Sequence, residues 1–348
     1  MTPTKAIQRS RIHGLFNFLT WFCVFALSAS ASLAAVNPAP NPPGKLVDLG
    51  GHRLHVNCSG KGHPTVIVES GLGDFSFDWV LVQSHVSRFT RVCTYDRAGY
   101  AWSDPGPKPR TFAQLNLELR DALTKLNESG PYVLVGHSFG GPVARNFAAT
   151  NPNQVAGLVF VDAAHEGLRV PIGDKKTIRL GDGAKDTPIP PPHENVSAAD
   201  EPKIHAEDLP EELKNLDPMF KVIPADEQKM QLWAQQLPAV YDAQSSETEL
   251  SGEYFAKWLA SSQAGTLGKI PVIVLSRADG GYKDGDFDIP ASQLEKERKE
   301  GQANLLLLSS QSRQIIIHSG HNMNLEAPED VTAAIREVVD AVRHHRKL

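Results

Sequence analysis

The sequence has 348 residues, with 35 Lys and Arg against 40 Asp and Glu, so its formal net charge is -5. A hydrophobic content of 41% with 22% charged residues is ordinary globular composition and argues against a disordered chain. The mild acidity predicts no nucleic-acid partner, and three cysteines are too few for a disulfide scaffold or a cysteine-rich zinc module.

The N-terminal segment has the pattern of a secretory signal peptide. Three basic residues and no acidic ones precede an apolar run over residues 15–29, and small residues follow. We assign residues 1–34 to the signal and residues 35–45 to a proline-rich leader. The protein is therefore expected to be secreted or periplasmic. The alternative is an uncleaved membrane anchor carrying an exported domain, although the apolar run is short for a spanning helix.

Strands and helices alternate along the rest of the chain. Apolar and β-branched runs predict strands, and amphipathic stripes predict helices. The predicted strands are residues 52–58, 65–69, 91–95, 132–135, 155–161, 270–275 and 315–317. The predicted helices are residues 111–126, 142–149, 291–308 and 328–345. This alternation indicates an α/β fold with a mainly parallel sheet and helices on both faces.

One long segment interrupts the alternation. Residues 163–268 contain no clear strand, but residues 225–237 and 247–261 have amphipathic helical patterns. A structureless loop of that length would be unusual inside a compact domain. We therefore assign residues 163–268 to an inserted helical cap, and residues 46–162 together with 269–348 to the core.

A candidate nucleophile lies where the strand at 132–135 passes into a helix. Residues 136–140 read Gly-His-Ser-Phe-Gly, which is the G-x-S-x-G pattern in a strand–turn–helix context. Such a turn exposes the serine hydroxyl above the sheet, and the glycines allow neighbouring backbone to approach closely. Ser138 is the predicted nucleophile, and His137 is expected to pack in the turn.

A serine nucleophile needs a base and an acid that orients the base. In this architecture the chain order is serine, acid, histidine, and the partners follow later strands. Asp279 follows the strand at 270–275 and is the predicted acid, with Asp162 after the strand at 155–161 as the alternative. His321, in a Ser-Gly-His loop after the last strand, is the predicted base. No metal-ligand spacing is present, so neither a metal nor a cofactor is expected.

Four sequence blocks, at residues 95–103, 136–141, 159–165 and 319–331, carry a family resemblance. The chain resembles the α/β-hydrolase superfamily from about residue 46 to its C-terminus, in a capped, secreted, esterase-like branch with a serine nucleophile. The resemblance implies an eight-stranded, mostly parallel sheet with a cap inserted after the sixth strand. It implies a role as general base and then acid for His321. The block around Asp96 is expected to be structural.

The resemblance also implies an oxyanion hole and a disulfide. The oxyanion donors would be the backbone N–H groups of Phe139 and Leu72. Cys58 and Cys93 would remain after the signal is removed, on strands that are neighbours in this fold. An exported protein with such a pair is expected to form a Cys58–Cys93 disulfide.

The expected activity is hydrolysis of carboxylic esters through an acyl-enzyme. Apolar cap residues predict a small-molecule substrate with an apolar acyl group; they are Met219, Phe220, Met230, Trp233, Phe255 and Trp258. Loss of the signal leaves 32 basic and 40 acidic residues, and this mature charge of -8 predicts no strong membrane association. The alternatives are an amidase, thioesterase or C–C hydrolase with the same machinery, or a non-catalytic binding protein on this scaffold.

Overall fold

The computed structural model describes residues 39–172, 175–182, 188–193 and 204–348. The predicted signal peptide and the first residues of the predicted leader lie outside the described residues. In the part of the chain that the structure describes, no helix is long and apolar enough to cross a membrane.

An eight-stranded sheet forms the centre of the protein. The strands of the described residues, in chain order, are β1 Lys45–Asp48, β2 Arg53–Ser59, β3 Val66–Glu69, β4 Val92–Tyr95, β5 Tyr132–His137, β6 Val155–Val161, β7 Arg169–Ile172, β8 Lys176–Arg179, β9 Val272–Arg277 and β10 Ser312–Ile317. All of them except β7 and β8 belong to this sheet. The order across the main sheet is β1-β2-β4-β3-β5-β6-β9-β10. β1 and β2 pair antiparallel, β2 and β4 also pair antiparallel, and the remaining pairs are parallel. The predicted mostly parallel eight-stranded α/β sheet is confirmed.

Helices cover both faces of this sheet. The α-helices of the described residues, in chain order, are α1 Val80–Val86, α2 Phe112–Lys125, α3 Gly140–Thr150, α4 Ala225–Ala234, α5 Pro238–Glu249, α6 Ser251–Leu259, α7 Ala291–Asn304, α8 Met323–Glu326 and α9 Pro328–Arg343. On one face, α2 and α3 bury side chains such as Leu119 and Phe147 against the strands. On the other face, α1 and α9 bury side chains such as Val82 and Ile335. Burial of these apolar stripes holds the helices on the sheet.

The structure contains elements that the sequence did not predict. They include β1, α1 and α8. Between β6 and β9, where no strand was expected, β7 and β8 form a two-stranded antiparallel sheet. The described residues of that stretch also form α4, α5 and α6, of which α5 was not predicted.

A disulfide joins Cys58 to Cys93, as predicted. The two cysteines lie directly opposite each other in the antiparallel register of β2 and β4. The bond therefore links an edge hairpin to the parallel part of the sheet.

The topology places the ends of several strands at one edge of the main sheet. The carboxyl ends of β3, β5, β6, β9 and β10 lie at the same edge because these strands are parallel neighbours. Loops that follow such strands form the sites of open α/β sheets.

Candidate active site

Ser138 occupies the tight turn between β5 and α3. Its φ is 49°, in the left-handed region that residues other than glycine rarely adopt. Its N–H donates to the Val161 carbonyl at 3.2 Å, which fixes the turn against β6. A Cβ on Gly140 would overlap the Glu69 carbonyl oxygen, so only glycine lets the start of α3 approach the end of β3 this closely. The half-buried Ser138 is thus held in strained backbone geometry at the carboxyl edge of the sheet.

A histidine–carboxylate pair lies at the same edge. His321 follows β10, and its Nδ1 is 2.6 Å from Oδ2 of Asp162, which directly follows β6. The Asp162 side chain is 4% exposed and the His321 side chain 39% exposed, so the carboxylate is shielded while the imidazole is open to the surface. In the described segments, Ser138 Oγ and the His321 imidazole are not hydrogen-bonded to each other. That contact is often long in enzymes that hold no substrate.

The carboxylate that contacts His321 belongs to Asp162, the alternative acid, and not to Asp279, the predicted acid. Asp279 lies two residues beyond β9, is exposed, and accepts a hydrogen bond at 3.0 Å from the backbone N–H two residues later. Asp162, the alternative, is turned towards His321 by a backbone φ of 37°. Both aspartates lie between Ser138 and His321 in the sequence, so chain order could not distinguish them.

Positive charges stabilise the ionised form of Asp162. Arg277, the last residue of β9, places its Nε 3.3 Å from the same Oδ2 that pairs with His321. Burial alone would raise the pKa of Asp162. The hydrogen bond from His321 and the charges of Arg277 and Arg298 outweigh burial, so the pKa lies below its usual value. An ionised Asp162 at neutral pH can orient the imidazole and stabilise its protonated form.

His137 connects two loops of the site. Its Nδ1 lies 2.9 Å from Oδ2 of Asp74, and its Nε2 lies 3.0 Å from the His321 carbonyl oxygen. Its ring packs against the edge of Trp79, with the ring centroids 6.1 Å apart. Burial would lower the pKa of His137, but the hydrogen bond and charge of Asp74 raise it above its usual value. This buried histidine therefore holds the loop after β3 and the loop after β10 together.

The two predicted oxyanion donors lie on adjoining loops. Phe139 precedes α3, and Leu72 lies in the loop after β3. Among the described residues, neither backbone N–H donates to a protein acceptor. A Cβ on Gly71 would lie 3.0 Å from Nδ1 of His137, which places the Leu72 loop beside the residue before Ser138. Backbone N–H groups that have no protein acceptor can bind a developing oxyanion.

Sequence reasoning missed Arg97, which belongs to the block expected to be structural. Arg97 is 3% exposed, and it donates from Nη1 to the Ser70 carbonyl at 2.7 Å and from Nη2 to the Gly71 carbonyl at 2.8 Å. The same guanidinium binds Glu247 of α5. These two partners lie 150 positions apart, so no local pattern could pair them.

One of the predicted apolar cap residues lies exposed at the site. Met219 is 37% exposed, and its sulfur accepts a hydrogen bond at 3.1 Å from Nδ2 of Asn322, the residue after His321. Phe220 and Phe255 are instead buried. Met219 therefore contacts the residue that follows His321 in the chain.

The sequence of the chain matches the alpha/beta hydrolase family model over residues 66–335. The chain belongs to this family. It has the eight-stranded sheet of the α/β-hydrolase fold.

Named relatives of this hydrolase match over about a third of the chain. The probable transporter efuK of Hormonema carpetanum is 35% identical over 129 residues, which are 35% of this chain and 18% of that protein. The lipase LipV of Mycobacterium tuberculosis is 36% identical over 120 residues, which are 34% of this chain and 45% of LipV. The hydrolase thus covers less than half the length of these curated relatives.

Solved structures share the fold over most of the chain. A thermophilic esterase from Thermogutta terrifontis has a TM-score of 0.56 at 20% identity, over 86% of this chain and 98% of the esterase. At this identity the likeness concerns the fold alone.

Proposed function

We propose that this hydrolase is a serine esterase with Ser138 as nucleophile, His321 as general base and Asp162 as the orienting acid. One observation carries the proposal: a serine in left-handed backbone geometry at the β5–α3 turn shares a sheet edge with a histidine bound to a buried carboxylate. A serine hydroxyl is weakly nucleophilic alone and is activated by such a histidine–acid pair.

The reaction proceeds in two acyl transfers. Ser138 Oγ attacks the ester carbonyl while His321 Nε2 accepts the hydroxyl proton, and the carbonyl oxygen becomes an oxyanion. The N–H groups of Phe139 and Leu72 donate to this oxyanion. Collapse breaks the C–O bond, and His321 returns the proton to the leaving alcohol. Water, deprotonated by His321, then attacks the acyl-enzyme and releases the acid and Ser138.

The substrate is a small ester with an apolar acyl group. Leu72 and Met219 are each 37% exposed, one on the oxyanion loop and the other beside the residue after His321. Apolar side chains around a few polar groups are typical of small-molecule sites. Residues 163–268 act as the cap over this site, and residues 46–162 with 269–348 form the core.

The protein acts outside the cytoplasm. The signal-like pattern in residues 1–34 supports export, and the disulfide between Cys58 and Cys93 fits an oxidising compartment. An uncleaved signal would leave the same catalytic domain tethered on the exported side.

Hydrolysis of p-nitrophenyl acetate, butyrate and octanoate by the protein without residues 1–34 tests the proposal, beside Ser138→Ala. We expect saturable turnover that the variant lacks. Fluorophosphonate labelling of Ser138 without ester turnover would redirect the search to thioesters, amides or C–C bonds, which the same machinery cleaves. A folded protein with neither turnover nor labelling would favour a binding protein on a hydrolase scaffold.

A further inference from the structure

The buried guanidinium of Arg97 connects the cap segment to the oxyanion loop. Glu247 lies near the end of α5 and is 1% exposed. Its Oε1 accepts from Arg97 Nε at 2.8 Å, and its Oε2 accepts from Arg97 Nη2 at 3.1 Å. The Tyr100 hydroxyl also donates to Oε2, at 2.7 Å. This carboxylate therefore fixes the plane of the Arg97 guanidinium from the cap side.

The Nη1–Nη2 edge of the guanidinium fixes two successive peptide groups. Arg97 binds the carbonyls of Ser70 and Gly71 at 2.7 and 2.8 Å. The Ser70–Gly71 peptide is held at both ends, because its N–H donates to Oδ2 of Asp74 at 2.9 Å. The Gly71–Leu72 peptide is held by its carbonyl alone, since the Leu72 N–H donates to no acceptor in the described residues.

Because a peptide group is planar, the contact at the Gly71 carbonyl also fixes the direction of the Leu72 N–H. The Gly71 carbonyl and the Leu72 N–H belong to one planar trans peptide, so they point in opposite directions. With the oxygen bound to Arg97, the Leu72 N–H must point to the other side of the loop. A cation on the carbonyl also polarises the peptide and makes its N–H a stronger donor.

We infer that Arg97 is a positioning residue that orients the Leu72 N–H. Through its ion pair with Arg97, Glu247 makes this orientation depend on the position of the cap segment. The inference rests on the proposed function, in which that N–H binds the oxyanion. Loss of the Glu247 charge leaves the buried guanidinium without its main counter-ion. The guanidinium then re-orients, and the Leu72 peptide becomes free to rotate away from the serine.

The substitution Glu247→Gln tests the inference because it keeps the size of the side chain but removes its charge and one of its two acceptor oxygens. Asp242→Asn is the matched control, since Asp242 lies on the same helix and its ion pair with Lys108 also joins α5 to the core. Removing one oxyanion donor costs about 10²- to 10³-fold in kcat, so a misaimed donor is expected to cost about tenfold or more.

We expect Glu247→Gln to lower kcat for p-nitrophenyl butyrate at least about tenfold with KM within about twofold, because the donor acts in the transition state. A trifluoromethyl ketone, which forms the same oxyanion, should lose affinity by the same factor as kcat/KM. Asp242→Asn should change each constant less than about twofold. Equal kcat values for the two variants, or an effect of Glu247→Gln on KM alone, would overturn the inference.

Hydrogen–deuterium exchange separates this inference from the proposed function. The peptide covering residues 69–75 should exchange faster in Glu247→Gln than in the wild type or Asp242→Asn. This readout needs no catalysis, so it decides the inference even for a wild type that cleaves no ester. Unchanged exchange in Glu247→Gln would show that the cap segment does not hold the loop.

Discussion

His321 and Asp162 are hydrogen-bonded at 2.6 Å although 159 positions separate them in the sequence. The carboxylate reaches the histidine from the end of β6, and Arg277 at the end of β9 contacts the same oxygen at 3.3 Å. The predicted acid, Asp279, follows β9, but the residue of β9 that contacts Asp162 is the cation Arg277.

This geometry predicts unequal effects at the two aspartates. Asp162→Asn should lower kcat for p-nitrophenyl butyrate about 10³- to 10⁴-fold, because an amide cannot hold the imidazole in the right tautomer. Asp279→Asn should change kcat less than about threefold, because Asp279 is exposed and contacts a local N–H. A larger loss in Asp279→Asn than in Asp162→Asn would refute the assignment. Circular dichroism of both variants controls for misfolding.

The contact of Asp74 with His137 predicts a joint effect on stability and turnover. Asp74→Ala removes the acceptor of the buried His137 ring and frees the Gly71 N–H. We expect the free energy of unfolding in urea to fall by about 2 kcal/mol, the usual cost of losing a charged hydrogen bond. We also expect kcat to fall, because His137 no longer anchors the loop of His321.

The control for Asp74→Ala is Asp226→Ala, which removes an exposed ion pair with Lys229. That variant should leave both the unfolding curve and kcat unchanged. Identical behaviour of the two alanine variants would show that the Asp74 contact stabilises nothing.

Because His165 is buried, we expect the folded protein to lose stability in acid. It is 3% exposed, and burial lowers its pKa from 6.5 to about 4. As pH falls below 6.5, His165 binds a proton in the unfolded chain, but in the folded protein it does not bind one until about pH 4. The resulting stabilisation is complete above pH 6.5 and lost between 6.5 and 4, amounting to about 3 kcal/mol.

Urea unfolding at pH 7.5 and 4.5 measures this term. Wild type should lose about 3 kcal/mol more than His165→Gln between the two pH values, because glutamine does not titrate. An equal loss in both proteins would contradict the assignment of a buried neutral histidine.

The disulfide is expected to stabilise the folded protein, because it restricts the unfolded chain. Cys58 and Cys93 close a loop of 35 positions, and the chain-entropy model assigns such a loop about 4 kcal/mol. The double variant Cys58→Ser with Cys93→Ser should unfold at correspondingly lower urea, and dithiothreitol should give wild type the same loss. Two free thiols in the unfolded, unreduced protein would show that the bond does not form.

The sequence predicts the parts of the fold that rest on local patterns. The strands of the parallel core are continuous apolar runs, and Ser138 lies in a five-residue motif at a strand–helix junction. His321 follows from its place after the last strand. For this reason the sheet and the positions of these two residues could be predicted without any long-range information.

The rest of the site depends on contacts that no local pattern encodes. Asp162 and Asp279 have the same chain order and both follow strands, and the difference between them is a backbone turn towards His321. The contact of Arg97 with Glu247 joins the segment after β4 to α5 across 150 positions. Such pairings appear only when the elements are assembled in three dimensions.

Mass spectrometry of the protein after reaction with a fluorophosphonate tests whether Ser138 is the nucleophile. We expect one phosphonyl group per chain, located on the peptide that contains Ser138, with loss of ester turnover in proportion to labelling. Ser138→Ala should acquire no adduct. Esterase activity that persists in the folded Ser138→Ala variant, or an adduct on a different residue, would contradict the assignment of Ser138.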